Sequence, residues 1–197
     1  KKETKNLKTS SMQKKYIADQ EFHNLKAFSL AEYDTCTFYN CSFSEEDLSY
    51  SEFENCEFIA CDLSNIKLVE TAFRNVKFRN TKLLGCHFNN CNTFLFEVHF
   101  DHCILDFASF FQCNLKGVNI VNSKLENVDF TEANLNKVNF SSSNLTKAIF
   151  DRTNLDGADL SEAINFTINP NNNSLNTTIF SSSNLEGLVH YLNIVIK

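Results

Sequence analysis

The feature that most constrains this chain is a period of five residues. Phenylalanine, leucine or a similar large apolar residue recurs at every fifth position in two runs, one from Tyr33 to Phe88 and one from Phe100 to Leu160. The residue two places before each large residue is usually small, as Cys36 is before Phe38. A period of five matches neither the period of about 3.6 of an α-helix nor that of about 2.0 of a β-strand. The repeat therefore demands a third geometry.

A square coil satisfies this pattern. If each group of five residues forms one side, the large residue and the small one both point inward, and four sides close a turn of 20 residues. Coils stacked at roughly 4.8 Å then pair their backbone groups with the coils above and below. The large inward positions predict a core ladder that includes Phe38, Phe43, Phe53, Phe58, Phe73, Phe78, Phe88, Phe110, Phe130, Phe140 and Phe150.

Three segments carry a family resemblance. Ala133-Asn-Leu-Asn-Lys, Thr153-Asn-Leu-Asp-Gly and Ala158-Asp-Leu-Ser-Glu resemble the A(D/N)LXX signature of the pentapeptide-repeat family, and the resemblance covers about residues 20 to 185. It implies an all-β fold, a right-handed quadrilateral β-helix with phenylalanine and leucine ladders inside. We assign residues 17–182 to this β-helix.

The repeat is interrupted twice. Phe88 and Phe100 are twelve residues apart, two more than two repeats, which predicts a register slip at residues 89–99. After Leu160 the pattern fails, because Asn165 stands where a large apolar residue is expected, and residues 169–173 read as a turn.

Residues 183–197 differ from the repeat and predict a short helix and strand. Ser183 and Glu186 have the spacing of a capping box. This module serves either as a lid on the open end of the coil or as a dimer contact, which the resemblance to Qnr-type members of the family favours. Its apolar residues are Leu185, Leu188, Val189, Leu192, Ile194 and Ile196.

The charge is divided unevenly. Residues 1–16 carry six lysines and one glutamate, or +5, and we expect a flexible basic leader or a tag there. The whole chain has a formal net charge of −6, so the remainder carries −11. Such a body disfavours direct nucleic-acid and anionic-membrane binding and favours basic partners. The sequence has no apolar run that resembles a signal peptide or membrane span, so we expect a cytoplasmic protein.

The sequence offers little chemistry for catalysis or metal binding. Seven of the eight cysteines occupy the small inward position, where a thiol behaves as a small buried apolar group. We therefore expect reduced thiols, no cofactor, no metal and no enzyme activity. The cluster with the composition closest to a zinc site divides between inward cysteines and outward histidines. It comprises Cys86, His87, Cys91, His99, His102 and Cys103.

Two kinds of surface could bind a partner. Acidic residues flank Tyr33 and Phe53, and a looser acidic cluster lies beside Phe130 and Phe150; ordinary solvation of an acidic surface explains them equally well. Phe107 and Phe111 lie off the regular positions and form a possible apolar contact, and we expect Phe94 or Phe96 to pack inward. The predicted acidic partner-binding residues are Glu32, Asp34, Glu52, Glu54, Asp129, Glu132 and Asp151, with a basic belt between them at Lys67, Arg74, Lys77, Arg79 and Lys82.

Two functions fit these features. Resemblance to the Qnr-type quinolone-resistance proteins implies an acidic, rod-shaped homodimer that engages DNA gyrase or topoisomerase IV as a DNA mimic. This chain departs from the best-known Qnr proteins because it lacks long projecting loops. The alternative is a general protein-interaction or scaffold module, which a functional apolar patch at Phe107 and Phe111 would favour.

Overall fold

The computed structural model describes residues 14–192 and residue 194, and the chain winds through them as a square-sided β-helix. The predicted leader lies outside the described residues up to residue 13. Short strands form two of the four sides. They are β1 (Lys15–Ala18), β2 (Glu21–His23), β3 (Ala31–Asp34), β4 (Thr37–Tyr39), β5 (Glu52–Glu54), β6 (Glu57–Ile59), β7 (Ala72–Arg74), β8 (Val76–Arg79), β9 (Val98–Asp101) and β10 (Ile120–Val121).

All strand pairs are parallel. Side A carries the sheet β1-β3-β5-β7, and side B carries the sheet β10-β9-β8-β6-β4-β2. Sides C and D are built from isolated parallel bridges, such as Ser42 with Asp62 on side C and Asp47 with Lys67 on side D. Each bridge joins residues 20 apart, so the predicted 20-residue coil is confirmed.

Two places depart from this register. The first coil is shorter, since Lys15 pairs with Ala31, and Lys15 and Tyr16 therefore belong to β1 rather than to the predicted leader. The second departure is the predicted slip: Val76 pairs with Val98 across 22 residues. The two extra residues are accommodated in the loop 92–97, on side A, where a strand would otherwise continue.

Side-chain hydrogen bonds explain the Asn or Asp that precedes the large residue. Asn139 Oδ1 accepts hydrogen bonds from the backbone N–H of Ser141 at 2.9 Å and from its hydroxyl at 2.6 Å. Asp159 repeats this arrangement with Ser161. The backbone of each side is thereby closed locally before the corner, as in other Asx turns.

The corners use left-handed backbone. The residue two places after the large one commonly has positive φ, as Asn55 does at 52°. Asparagine visits this region with less strain than most residues, because its short polar side chain makes local hydrogen bonds. Frequent asparagine at corners therefore replaces the glycine that tight turns usually need.

The large inward residues fill the coil. All eleven phenylalanines of the predicted core ladder are buried. Their rings stack between coils, for example Phe110 on Phe130 and Phe130 on Phe150, each with centroids 5.4 Å apart. The thiol of Cys61 lies beside this ladder and donates to the carbonyl of Phe38 at 3.3 Å.

The C-terminal end differs from the sequence prediction. Phe166, rather than position 165, returns an aromatic ring to the core, and it is 3% exposed. The predicted helix is two 3-10 helices, Leu185–Leu188 and His190–Leu192. The predicted capping box is wrong: the N-cap residue is Asn184, and it makes no side-chain cap bond.

Asn184 instead closes the end of the coil. Its Nδ2 donates to the carbonyls of Leu160 at 2.8 Å and Ala163 at 3.1 Å. The predicted terminal strand is not assigned at Ile194, which is exposed. Ile196 lies outside the described residues.

Candidate partner-binding surfaces

The first predicted acidic cluster lies on side A. Glu32 pairs in register with Glu52, and Asp34 with Glu54, so four carboxylates occupy two columns on β3 and β5. Adjacent strands are about 4.8 Å apart, which places like charges close together. The sequence prediction that these residues stack is confirmed.

Basic side chains at the ends of these columns partly neutralise the cluster. Lys14 Nζ lies 2.8 Å from Glu52 Oε1, and an Arg74 guanidinium nitrogen lies 3.0 Å from Glu52 Oε2. These hydrogen bonds, that of Lys14 first, hold the pKa of Glu52 below its ordinary value against the effect of burial. Within the described part of the chain, Glu32 and Glu54 form no ion pair.

The second acidic cluster contains a cation that the sequence prediction left out. Arg152 lies 2.7 Å from Glu132 Oε1 and 2.6 Å from Asp151 Oδ2. Hydrogen bonds from Gln112 and Arg152 hold the pKa of Glu132 below its ordinary value. The remaining member, Asp129, lies on side D. Glu132 and Asp151 share one guanidinium, so one net negative charge remains on this trio.

The basic belt stacks on an acidic coil. Arg79 pairs with Glu57 at 2.8 Å, and Lys82 lies 3.9 Å from Asp62. Because partners are about 20 residues apart, opposite charges meet on successive coils. The belt therefore contributes less free positive charge than its sequence suggests.

Exposed apolar side chains collect around the loop 92–97. Phe94 is 67% exposed and Leu95 is 65% exposed, whereas Phe96 packs against the core. Of the two predicted apolar contacts, Phe111 lies beside this loop on side D and is 37% exposed. Phe107 is 59% exposed at the corner between sides C and D, and therefore belongs to another edge.

The loop leaves a cavity of about 660 Å³ at the edge between sides D and A. Leu95 has φ of 55° and points outward, so this side lacks the inward residue that fills the others. The walls combine aromatic rings with thiols and amides. They include Phe88, Cys91, Leu95, Phe96, Phe111 and Cys113.

The cysteines are free and buried, as expected. Burial raises the pKa of Cys113 to about 12 and that of Cys91 well above its ordinary value. His99, from the zinc-like cluster, accepts a hydrogen bond at Nδ1 from the backbone of Asn119 at 3.1 Å. No group of three or more metal-ligating side chains is assembled anywhere within residues 14–192.

Comparison with known proteins places this geometry in a family. The model of the pentapeptide repeat region matches residues 31–93 and 81–160, which is more than half of the chain. The chain belongs to the pentapeptide repeat family. No curated protein has a significantly similar sequence.

Solved pentapeptide repeat structures share the fold. A trypsin-treated variant of QnrB1, a plasmid-mediated fluoroquinolone resistance protein, superimposes with a TM-score of 0.61 at 16% identity, covering 93% of this chain and 98% of that one. A second trypsin-treated QnrB1 variant gives a TM-score of 0.56 with the same identity and coverage. A pentapeptide repeat protein of the Arabidopsis thaliana thylakoid lumen is 26% identical over 48% of this chain and 57% of that one, with a TM-score of 0.35.

This pentapeptide repeat protein has no long apolar helix. Among the described residues, none of the helices reaches the length and apolarity that a membrane crossing requires.

Proposed function

We propose that this pentapeptide repeat protein is a non-catalytic binding protein whose partner is a type II topoisomerase, DNA gyrase or topoisomerase IV. The observation that carries the proposal is the pair of carboxylate columns on side A. The shared fold with QnrB1, a fluoroquinolone resistance protein, supports the choice of partner. The proposed location is the cytoplasm, where such a partner works.

The carboxylate columns suit a surface that normally holds DNA. Along one DNA strand, phosphates repeat about every 3.4 Å, and carboxylates on neighbouring coils repeat about every 4.8 Å. Glu32 and Glu54 retain uncompensated charge on a rigid sheet. A basic groove on the partner would gain electrostatic attraction without ordering a flexible segment.

The proposed lack of catalysis follows from the contents of the coil. Stacked rings fill the interior, and the cavity at the D–A edge is lined chiefly by apolar and amide side chains. Its two thiols, Cys91 and Cys113, have raised pKa values. A protonated thiol is a poor nucleophile, so neither thiol is suited to covalent catalysis.

Supercoiling by purified gyrase, with and without ciprofloxacin, tests the proposal. The protein should change the drug sensitivity of supercoiling, and the double variant Glu32→Lys, Glu54→Lys should lose that effect at least tenfold in concentration. The control, Glu45→Lys with Glu162→Lys, makes the same change in net charge elsewhere on the surface and should keep the effect. A folded protein without effect on gyrase or topoisomerase IV would overturn this choice of partner.

A second candidate function is a general protein-interaction module. The exposed aromatic side chains Phe94, Phe107 and Phe111 favour it, because exposed apolar groups in a cluster often mark contact sites. If Phe107→Ser or Phe111→Ser abolished an effect on gyrase that the acidic variant retained, the contact would be apolar.

We also propose that the protein is a homodimer formed through its C-terminal end. The final coil leaves Phe180 and Leu175 only partly buried, and Leu185, Leu192 and Ile194 are exposed around them. A second copy would cover these side chains.

A further inference from the structure

The edge between sides D and A carries a line of exposed apolar side chains that leads to the cavity. One residue comes from each successive coil, and the coils rise by about 4.8 Å. Ladder pairing places them in order along the rod axis. They are Leu30 (54% exposed), Tyr50 (55%), Val69 (44%), the pair Phe94 (67%) and Leu95 (65%), and Phe111 (37%).

A carboxylate lies at each end of the cavity. Below it, Glu70 accepts a hydrogen bond at 3.1 Å from Asn92, the first residue of the loop. Above it, Glu132 accepts a hydrogen bond at 2.6 Å from Gln112, which lines the cavity. Both carboxylates occupy the D–A corner, and three coil steps, or about 14 Å, separate them.

This edge already binds cations of the chain itself. Lys14 and Arg74 contact Glu52, two coils below the loop, and Arg152 contacts Glu132. Arg74 also lies 6.0 Å from the ring centroid of Phe94. Glu70, in contrast, forms no ion pair with any described residue. The edge thus combines apolar surface with carboxylates that accept lysine and arginine.

We propose that the D–A edge binds an extended segment of a protein partner in which a large apolar side chain has a lysine or arginine two residues before it and another two residues after it. Alternate residues of an extended chain point to the same side. The two basic residues, four positions apart, are separated by about 13 Å, which matches the distance between Glu70 and Glu132. The apolar side chain then enters the cavity between them.

This inference rests on the first part of the proposed function, that the protein binds a protein partner, and is independent of which partner it is. A synthetic peptide therefore tests it without a topoisomerase. The probe is acetyl-Ser-Arg-Thr-Phe-Thr-Arg-Ser-amide, titrated into the isotope-labelled protein and followed by amide chemical shifts. We expect shifts at residues 92–97 and Gln112, saturating with peptide concentration.

Two peptide controls and two pairs of variants define the site. Replacing the phenylalanine by serine, or both arginines by glutamate, should weaken binding at least tenfold. Phe111→Ser should do the same, whereas Phe107→Ser, an equal change on another edge, should have no effect. Glu70→Lys with Glu132→Lys should abolish binding, and Glu45→Lys with Glu162→Lys should not. Circular dichroism establishes that each variant is folded.

Several outcomes would overturn the proposal. They are an absence of shifts at millimolar peptide, equal binding of the glutamate peptide, and shifts confined to the C-terminal end or to another edge. Binding that appears only after residues 1–13 are removed would assign the edge to the chain's own leader. Shifts at the loop that depend on protein concentration without peptide would assign it to a second copy.

Discussion

At the scale of the residue, each large inward side chain touches its equivalents one coil above and one coil below. Phe130 is fully buried, stacks on Phe110 and Phe150, and meets Phe140 edge to face. Removing one ring leaves a void that rigid stacked coils cannot readily close. We therefore expect Phe130→Ala to lower the free energy of unfolding by about 3–5 kcal/mol, measured by chemical denaturation.

Phe107→Ala is the matched control for that prediction. Phe107 is exposed at a corner, so its truncation should change the free energy of unfolding by less than about 0.5 kcal/mol. If Phe130→Ala cost less than about 1 kcal/mol, the ring would not be packed as the coil requires.

The buried thiols make stability sensitive to alkali. Burial raises the pKa of Cys61, Cys86 and Cys103 to about 12 in the folded protein, whereas an unfolded thiol titrates near about 8.5. Their contribution to stability is complete below the unfolded value and is lost as pH rises toward 12, because the unfolded chain releases protons first. The free energy of unfolding should therefore fall above about pH 9, by up to about 1.4 kcal/mol per pH unit for each thiol.

The triple variant Cys61→Ala, Cys86→Ala, Cys103→Ala separates this effect from ionisation of tyrosine and lysine. It should unfold with a shallower dependence on pH between about 9 and 11. An unchanged slope would show that these thiols ionise equally easily in both states.

At the scale of the element, the C-terminal 3-10 helix depends on a glycine. A Cβ added at Gly187 would lie 2.4 Å from Phe166 Cε2 and 2.6 Å from the Phe166 carbonyl oxygen. Gly187→Ala should therefore displace the helix from the end of the coil, costing about 1–3 kcal/mol. Hydrogen exchange should show faster exchange at Ile168, whose N–H donates to the Gly187 carbonyl at 2.9 Å.

Gly117→Ala provides the comparison. Gly117 has φ of 73°, but an added Cβ would meet nothing within 4 Å. This change introduces backbone strain of about 1–2 kcal/mol without a clash at the cap, and exchange at Ile168 should stay slow. Equal acceleration in both variants would argue against the contact between Gly187 and Phe166.

The elements were predictable wherever the five-residue period continued and unpredictable where it stopped. The period located the coil, its inward residues and the slip between Phe88 and Phe100, because each inward position repeats the same steric requirement. It could not determine whether Phe94 or Phe96 turns inward, since two extra residues free the loop from the ladder. It also missed Phe166, which enters the core one position late because the backbone bends before the turn.

At the scale of the whole molecule, the surface charges are organised between coils rather than along the chain. Arg152 neutralises Glu132 and Arg74 neutralises Glu52 because 20 or 22 residues separate vertical neighbours. Counting by 20 from each acidic residue would have found Arg152. The apolar D–A edge required the structure, since its order along the axis depends on the slip and on the short first coil.

The same scale decides whether the rod exists as one copy or two. At the C-terminal end, Leu185 is 47% exposed, Leu192 is 49% exposed and Ile194 is 56% exposed. If this end is a dimer contact, two charges placed there should separate the copies by repulsion across a symmetric interface. We expect Leu185→Glu with Leu192→Glu to halve the mass measured by sedimentation equilibrium, while Ile149→Glu with Ile164→Glu, equally exposed on sides D and C, keeps the dimer. A wild-type protein that sediments as a monomer at tens of micromolar would mean that the cap only closes the coil.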